Sequence, residues 1–265
     1  MIEADQTRDR SQRFLFEEAD NRGEIVQLDR SYRDIIAVHQ YAPGVSQLLG
    51  EFLAAAVLLA TTLKFEGKLV LQARSNGQLP LLMVECDHSL RVRAIARGAQ
   101  EATSERFDQL LAGGQLAITI DPVKGQRYQG IVPLVENSLT HSLDAYFRQS
   151  EQLGTRFWLS ARDGSAAGLL LQQLPTQLVD DPAERRNQWE HVTTLAQTLT
   201  GTELRSLAAP ELVHRLYHEE PLRLFEPVPV AFQCNCSRQR TLKALASLPA
   251  TEVEELLEEL GSITM

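Results

Sequence analysis

At 265 residues, with 43% apolar and 23% charged side chains, the chain has the profile of an ordinary globular protein of one or two domains, not of a disordered one. A formal net charge of −9 and a pI near 5.2 leave no overall electrostatic footprint for nucleic acid or an anionic membrane. Residues 1–13 are polar and mixed in charge, without the apolar stretch of a secretory signal, and three cysteines do not make a disulfide scaffold, so a reducing cytoplasm is expected.

Ser31 is placed to cap a helix carrying Ile35, Ile36 and Val38, which Pro43-Gly44 breaks. Residues 45–63 then predict a long helix that is apolar on nearly every side and so buried on nearly every side. Its most hydrophobic part, 52–63, lies between Glu51 and Lys64 and is short of the roughly 20 residues that a membrane span needs. Strands follow at 68–73, 79–84 and 91–96, with Asn76-Gly77 as a turn between the first two. Further strands are expected at 115–120, 128–132, 156–160 and 168–174, punctuated by Gly113-Gly114, Lys124-Gly125 and Asp163-Gly164. Residues 139–149 predict a helix behind an Asn137-Ser138 cap. Strands and helices do not alternate strictly, so the expected fold class is α+β.

A boundary is expected near 178–182. Asp181 stands at an N-cap, Pro182 at the first helical position and Glu184 where a capping box needs it. Trp189, Val192, Leu195, Ala196 and Leu199 share one face of the helix that follows, and Gly201 is read as its end. Shorter helices over 202–207 and 210–217 complete a small helical region. Pro221, Pro227 and Pro229 mark an extended connection beyond it. The last segment predicts a helical hairpin. Leu242, Leu245 and Leu248 line its first helix, and Pro249-Ala250 makes the turn. Thr251 and Glu254 cap a second helix striped with Val253, Leu256, Leu257 and Leu260, and Gly261 ends it. Two such short helices cannot hide their stripes on each other alone, so they need a metal clip, another domain or another chain.

The chemistry concentrates at Cys234-Asn235-Cys236, between an apolar run and the basic turn Ser237-Arg238-Gln239-Arg240. Two thiols at this spacing supply half of a tetrahedral sulfur site for zinc, or can be oxidised. Arg238, Arg240 and a helix start at Ser237 favour thiolate over thiol. Other motifs read as structural. Cys86 falls in an apolar strand. His214 and His218 share a helical face, but the glutamate of a zinc-protease motif is missing. Gly164-Ser165-Ala166-Ala167-Gly168 is a hairpin turn, because its serine is misplaced for a nucleophile elbow. Tyr217 and Glu219-Glu220 are expected to stabilise the packing of the helical region, and the acidic run 252–259 is a solvated helix face.

Four stretches carry a family resemblance. They are Thr62-Leu63-Lys64-Phe65-Glu66-Gly67, Gly125-Gln126-Arg127-Tyr128-Gln129-Gly130-Ile131-Val132, Tyr146-Phe147-Arg148-Gln149-Ser150-Glu151-Gln152-Leu153, and Arg215-Leu216-Tyr217-His218-Glu219-Glu220 running on to Phe232-Gln233-Cys234-Asn235-Cys236-Ser237-Arg238. With these, in order along nearly the whole chain, it resembles the redox-regulated 33-kilodalton heat-shock protein family of bacterial holdase chaperones. The resemblance implies a mixed α/β core domain at 1–178, a helical linker domain at 179–230, and a partial C-terminal zinc-binding redox-switch module at 231–265. In the reduced family member four thiolates hold zinc and the linker stays folded. Oxidation forms disulfides, releases zinc, unfolds the switch with its linker, and makes apolar surface available to unfolding clients. No ATP is needed, and no G-x-x-x-x-G-K-[ST] occurs in the sequence.

By the same resemblance Cys234 and Cys236 are the first ligand pair and the redox-active cysteines. The family's second pair, a CxxC, falls about where this sequence ends, so an incomplete site, no tightly bound zinc and weakened redox control are expected. No catalytic or cofactor-binding residue is implied and no enzyme activity is expected. The expected partners are unfolded or oxidised clients and a second copy of the chain, with exchanged elements possible; nucleic acid and membrane are not expected. The competing reading is a thiol-disulfide oxidoreductase using the same pair, since a disulfide across so short a loop is strained and easily reduced.

Overall fold

Phe14 and Phe16, two residues apart, point to the same side of a strand, and the fold begins there. The computed structural model describes residues 8–63, 66–134, 137–150, 153–234, 246, 249, 251 and 252. In chain order the elements are β1 (Arg10–Phe16), β2 (Asn21–Leu28), α1 (Arg30–Ala37), α2 (Pro43–Thr62), β3 (Gly67–Arg74), β4 (Leu81–Asp87) and β5 (Arg91–Arg97). Then come α3 (Phe107–Leu110), β6 (Gly114–Pro122), β7 (Tyr128–Leu134), α4 (Leu139–Ser150), β8 (Thr155–Arg162) and β9 (Ser165–Gln173). Helices α5 (Pro182–Gln197), α6 (Gly201–Ser206) and α7 (Ala209–Tyr217) precede three short strands, β10 (Leu222–Leu224), β11 (Val228–Pro229) and β12 (Ala231–Phe232). The chain divides into two compact units, Met1–Phe232 and Gln233–Met265.

Two six-stranded sheets make the frame of the first unit. One runs β10-β1-β2-β9-β8, with β11 also on β1, and the other runs β12-β5-β4-β3-β6-β7. The strand pairs are antiparallel except β12 on β5. This is an α+β fold, as the lack of strict alternation predicts. Helix α2 packs against β2, β8 and β9 of the first sheet and β3, β4 and β5 of the second. Thirteen of its 20 residues are buried, from Gly44 to Leu59, which follows from its being apolar all round. Among the described residues it is the one helix long and apolar enough to cross a membrane, and 72% of its apolar window is buried inside the protein, as befits a core helix.

Several local expectations change. The sequence reading assigns nothing before Ser31, yet β1 and β2 form a hairpin there. Strand β2 is buried on both faces, so no polar alternation advertises it. Ser31 does not cap α1. The helix starts at Arg30, and the buried Asp9 carboxylate, reaching from outside, accepts from the backbone N–H groups of Asp29, Arg30 and Ser31 at 3.1, 3.0 and 2.8 Å. Asn76-Gly77 is not a two-residue hairpin turn, since β4 begins at Leu81. The connection is tied instead by Ser75, whose hydroxyl donates to Leu79 O and accepts from Gly77 N–H. Ser138 does cap α4, accepting from His141 N–H at 3.2 Å, and Asp163-Gly164, both at positive φ, close the β8–β9 hairpin.

Helix α5 ends at Gln197, so Gly201 does not terminate it. Gly201 opens α6 behind Thr200, and the capping box lies at Thr200 and Glu203; at α5, Asp181 accepts from Ala183 N–H. A Cβ on Gly201 would lie 2.6 Å from Ser160 Oγ, so this glycine serves a close approach of helix to sheet and not a C-cap.

Candidate functional site

The strand pattern gives the first sheet two apolar faces. Along β9, Ala166 and Leu170 turn toward α2 while Ala167, Leu169 and Leu171 turn the other way. On that second face Phe14, Phe16 and Ile25 join them, and α5, α6 and α7 lie over them with Val192, Ala196, Leu204, Leu212, Val213 and Leu216. The result is an apolar layer between sheet and helices, separate from the core around α2. Tyr217 is its centre. Its ring meets Phe16 edge-on at 5.1 Å between centroids and Phe14 at 5.9 Å. Its hydroxyl donates to Val192 O at 3.1 Å and so joins α7 to α5; burial pushes its ionisation well above the usual range.

Polar ties around the layer fasten the helices down. Gln27, buried in β2, donates to Leu204 O and Leu207 O at 3.0 and 2.7 Å, where α6 runs out of internal partners. Arg205 reaches Ser160 Oγ, and Arg8 donates to Arg205 O. Asp20 holds the approach to α5. It accepts from the N–H groups of Gln177, Leu178 and Val179 and pairs with Arg185, which also donates to Leu174 O. Burial pushes the Asp20 carboxyl up, but these donors outweigh it and hold it below the usual carboxylate range. At the rim, Glu203 pairs with Arg215 at 2.8 Å and His191 with Glu220 at 2.9 Å. Glu220, in the run read from sequence as structural, thus meets α5, and Tyr217 likewise packs the helical region as expected.

Cys234 is exposed and is the second residue of the second unit, which begins at Gln233 just beyond β12. Cys236 lies outside the described residues, as do most of the expected hairpin, including Leu242, Leu245, Leu248, Val253 and Glu254, and the basic turn at Arg238 and Arg240. As a donor set, two cysteine sulfurs suit zinc and supply two of its four usual positions. Among the described residues no group of three or more His, Cys, Asp or Glu gathers as a metal site. His214 and His218 stack edge-on at 5.9 Å between centroids on the outer side of α7, with the Glu219 carboxylate 3.9 Å from His218 Nε2. Cys86 is fully buried in β4, and burial pushes its thiol up, which makes it unreactive. Ser165 sits at the start of β9 in the hairpin, as read from sequence.

A family model described as Hsp33 protein matches residues 9–265. The chain belongs to the Hsp33 family. A 33 kDa chaperonin of Pseudomonas aeruginosa is 55% identical over 260 residues, covering 97% of this chain and 88% of the relative. One of Pseudomonas syringae pv. syringae is 53% identical over 253 residues, covering 95% of this chain and 84% of the relative. Among solved structures, the crystal structure of the 33 kDa chaperonin from Thermotoga maritima, a heat shock protein 33 homologue, superposes with a TM-score of 0.79 over 95% of this chain and 89% of that one. At 19% identity that likeness carries the fold. Family membership agrees with the resemblance read from the four sequence stretches. Sequence reasoning missed Asp9, Asp20, Gln27 and the Phe14–Phe16 pair. Their partners lie far along the chain, and the available signal was the alternation of Phe14 and Phe16 alone.

Proposed function

We propose that this chain is an ATP-independent holdase chaperone whose client surface is the covered face of the first sheet together with the inner faces of α5, α6 and α7. The observation that carries this reading is the apolar layer itself. It is made of large aromatic and aliphatic side chains, it is distinct from the core, and its cover is fastened mainly by backbone-directed hydrogen bonds and rim ion pairs. Lifting the cover presents Phe14, Phe16, Ile25, Leu169 and Leu171 as one patch, the kind of surface that binds exposed apolar segments of unfolding proteins.

The trigger in this reading is the thiol pair. Cys234 follows the strap 222–232 that comes after α7, and the residue is exposed. Reaction with peroxide breaks two S–H bonds and the O–O bond, forms one bond between the sulfurs of Cys234 and Cys236, and releases two waters. Cys234 and Cys236 would hold two positions of a zinc site, and the metal when bound keeps its ligating sulfurs as reduced thiolates. The disulfide takes both sulfurs out of metal binding, and in this reading oxidation frees α5, α6 and α7 from the sheet. We place the protein in the cytoplasm and its active form as a homodimer.

Light scattering from a heat-unfolding client enzyme tests both halves. Oxidised protein is expected to suppress aggregation more than reduced protein, and Cys234→Ser/Cys236→Ser to lose the difference. Tyr217→Ala, which lifts the cover without oxidant, is expected to suppress aggregation when reduced. A double-serine variant that still responds to peroxide ends the trigger; a Tyr217→Ala variant that opens and captures nothing ends the surface.

A further inference from the structure

At the C-terminal end of α2, on the face of the first sheet away from α5–α7, the two sheets part around a cavity of about 260 Å³. Its walls are mostly aliphatic and aromatic: Leu59 and Leu63 from the end of α2, Leu69, Ile118 and Ile120 from the second sheet, and Phe147 from α4. Tyr128 and Tyr146 also line it, with their phenol oxygens 3.4 Å apart.

One wall carries a charge. Arg22, from β2, lines the cavity, and its Nε and Nη2 both donate to Gln172 Oε1, at 3.0 and 2.5 Å. Gln172 in turn donates to Thr155 Oγ1 at 3.2 Å, which fixes the amide and with it the guanidinium. Among the described residues Arg22 makes no ion pair; a neutral amide is its partner. The charges around it do not cancel. Glu24, two residues along on the same face, takes the Ser11 hydroxyl at 2.5 Å and stands across the ladder from Arg13. Two guanidiniums therefore face one carboxyl, and burial raises the affinity of that carboxyl for a proton. Burial disfavours the charge on Arg22 itself, so an anion brought to it gains more than it would at the surface.

We propose that this cavity is a binding site for a small anionic amphiphile, a monocarboxylate with a compact apolar tail, whose carboxylate pairs with Arg22 and whose tail fills the space between the sheets. The volume admits roughly eight to ten heavy atoms at about 30 Å³ each, the share of one liquid water, which is the size of a medium-chain fatty acid. The apolar walls select the tail and the fork of Arg22 the head. The site is independent of the thiols and of the helical cover.

The test is calorimetric titration of the reduced full chain with octanoate, octanol and octylammonium, which share a tail and differ in head. Octanoate is expected to bind with a stoichiometry of one and at least tenfold more tightly than octanol, with octylammonium weaker still. Arg22→Gln, with its fold checked by circular dichroism, is expected to lose about tenfold for octanoate and nothing for octanol. If Arg22→Gln does not fold, the comparison of heads on the unaltered chain decides alone. Failure of octanoate to bind, equal binding of the three heads, or many weak sites indifferent to Arg22 would overturn the proposal. Aggregation suppression without octanoate is expected to be the same for Arg22→Gln and the unaltered chain, which keeps this test apart from that of the client surface.

Discussion

The first sheet is covered twice, and the two covers are built on different plans. Toward the second sheet lies α2, with thirteen of 20 residues buried. On the opposite face lies α5, with three of 16 buried, Val192, Thr193 and Ala196, backed by the short α6 and α7. A helix apolar all round has no stable place except between two layers, so α2 leaves only when the whole unit unfolds. Helices with one apolar face and a solvated back can leave the sheet and remain acceptable to water. The same sheet thus has a permanent cover and one that, under the proposed function, is removable.

The largest expected effect separates the two. Tyr217→Ala deletes the ring between Phe14 and Phe16 and the bond to Val192, at a cost of about 3–5 kcal/mol. Hydrogen exchange is expected to show amides of α5, α6 and α7 losing protection while those of α2 keep theirs. Equal loss in α2 would mean one cover, not two.

Next in size is a pH effect confined to the permanent cover. Burial lifts the Glu51 carboxyl on α2 from 4.5 to about 7, opposed by a hydrogen bond from the Gln47 amide. The folded chain therefore keeps a proton that the unfolded chain releases between about pH 4.5 and 7, and the stability tied to this group falls as pH rises through that window. Glu51→Gln removes the dependence. Urea titrations are expected to show little change near pH 4 and a gain of about 1–3 kcal/mol for the variant at pH 8. A variant less stable at pH 8 would contradict the assignment. The smallest effect is Tyr217→Phe, which removes one buried hydrogen bond and keeps the ring. About 1 kcal/mol of stability is expected to go, with the cover still seated by hydrogen exchange.

Much of this was legible in the residues. The apolar run of α2, the Ser138 cap and the Asp163-Gly164 turn depend on near neighbours, and all three form as read. Tyr217 drew notice through its place in a family stretch, and its packing agrees. Gly201 was misread because a glycine after a helical stripe is the usual sign of an ending, while here the demand comes from Ser160 on a distant strand. Strands β1 and β2 were missed because Arg13, Arg22 and Glu24 break the apolar pattern, and nothing local reveals that β2 is covered on both faces.

The sequence by itself determined the α+β class, the central apolar helix, the helical region after residue 180 and membership of the Hsp33 family, since periodicity, caps and motif strings are properties of neighbouring residues. Only the tertiary structure decided that Asp9 caps a helix it does not belong to, that Asp20 ties down the approach to α5, and that Tyr217 rests on Phe14 and Phe16. Those contacts join positions as much as two hundred residues apart, as Gln12 and Phe225 do. Chain entropy opposes such closures, and the packing of two sheets repays the cost only when the whole fold has formed.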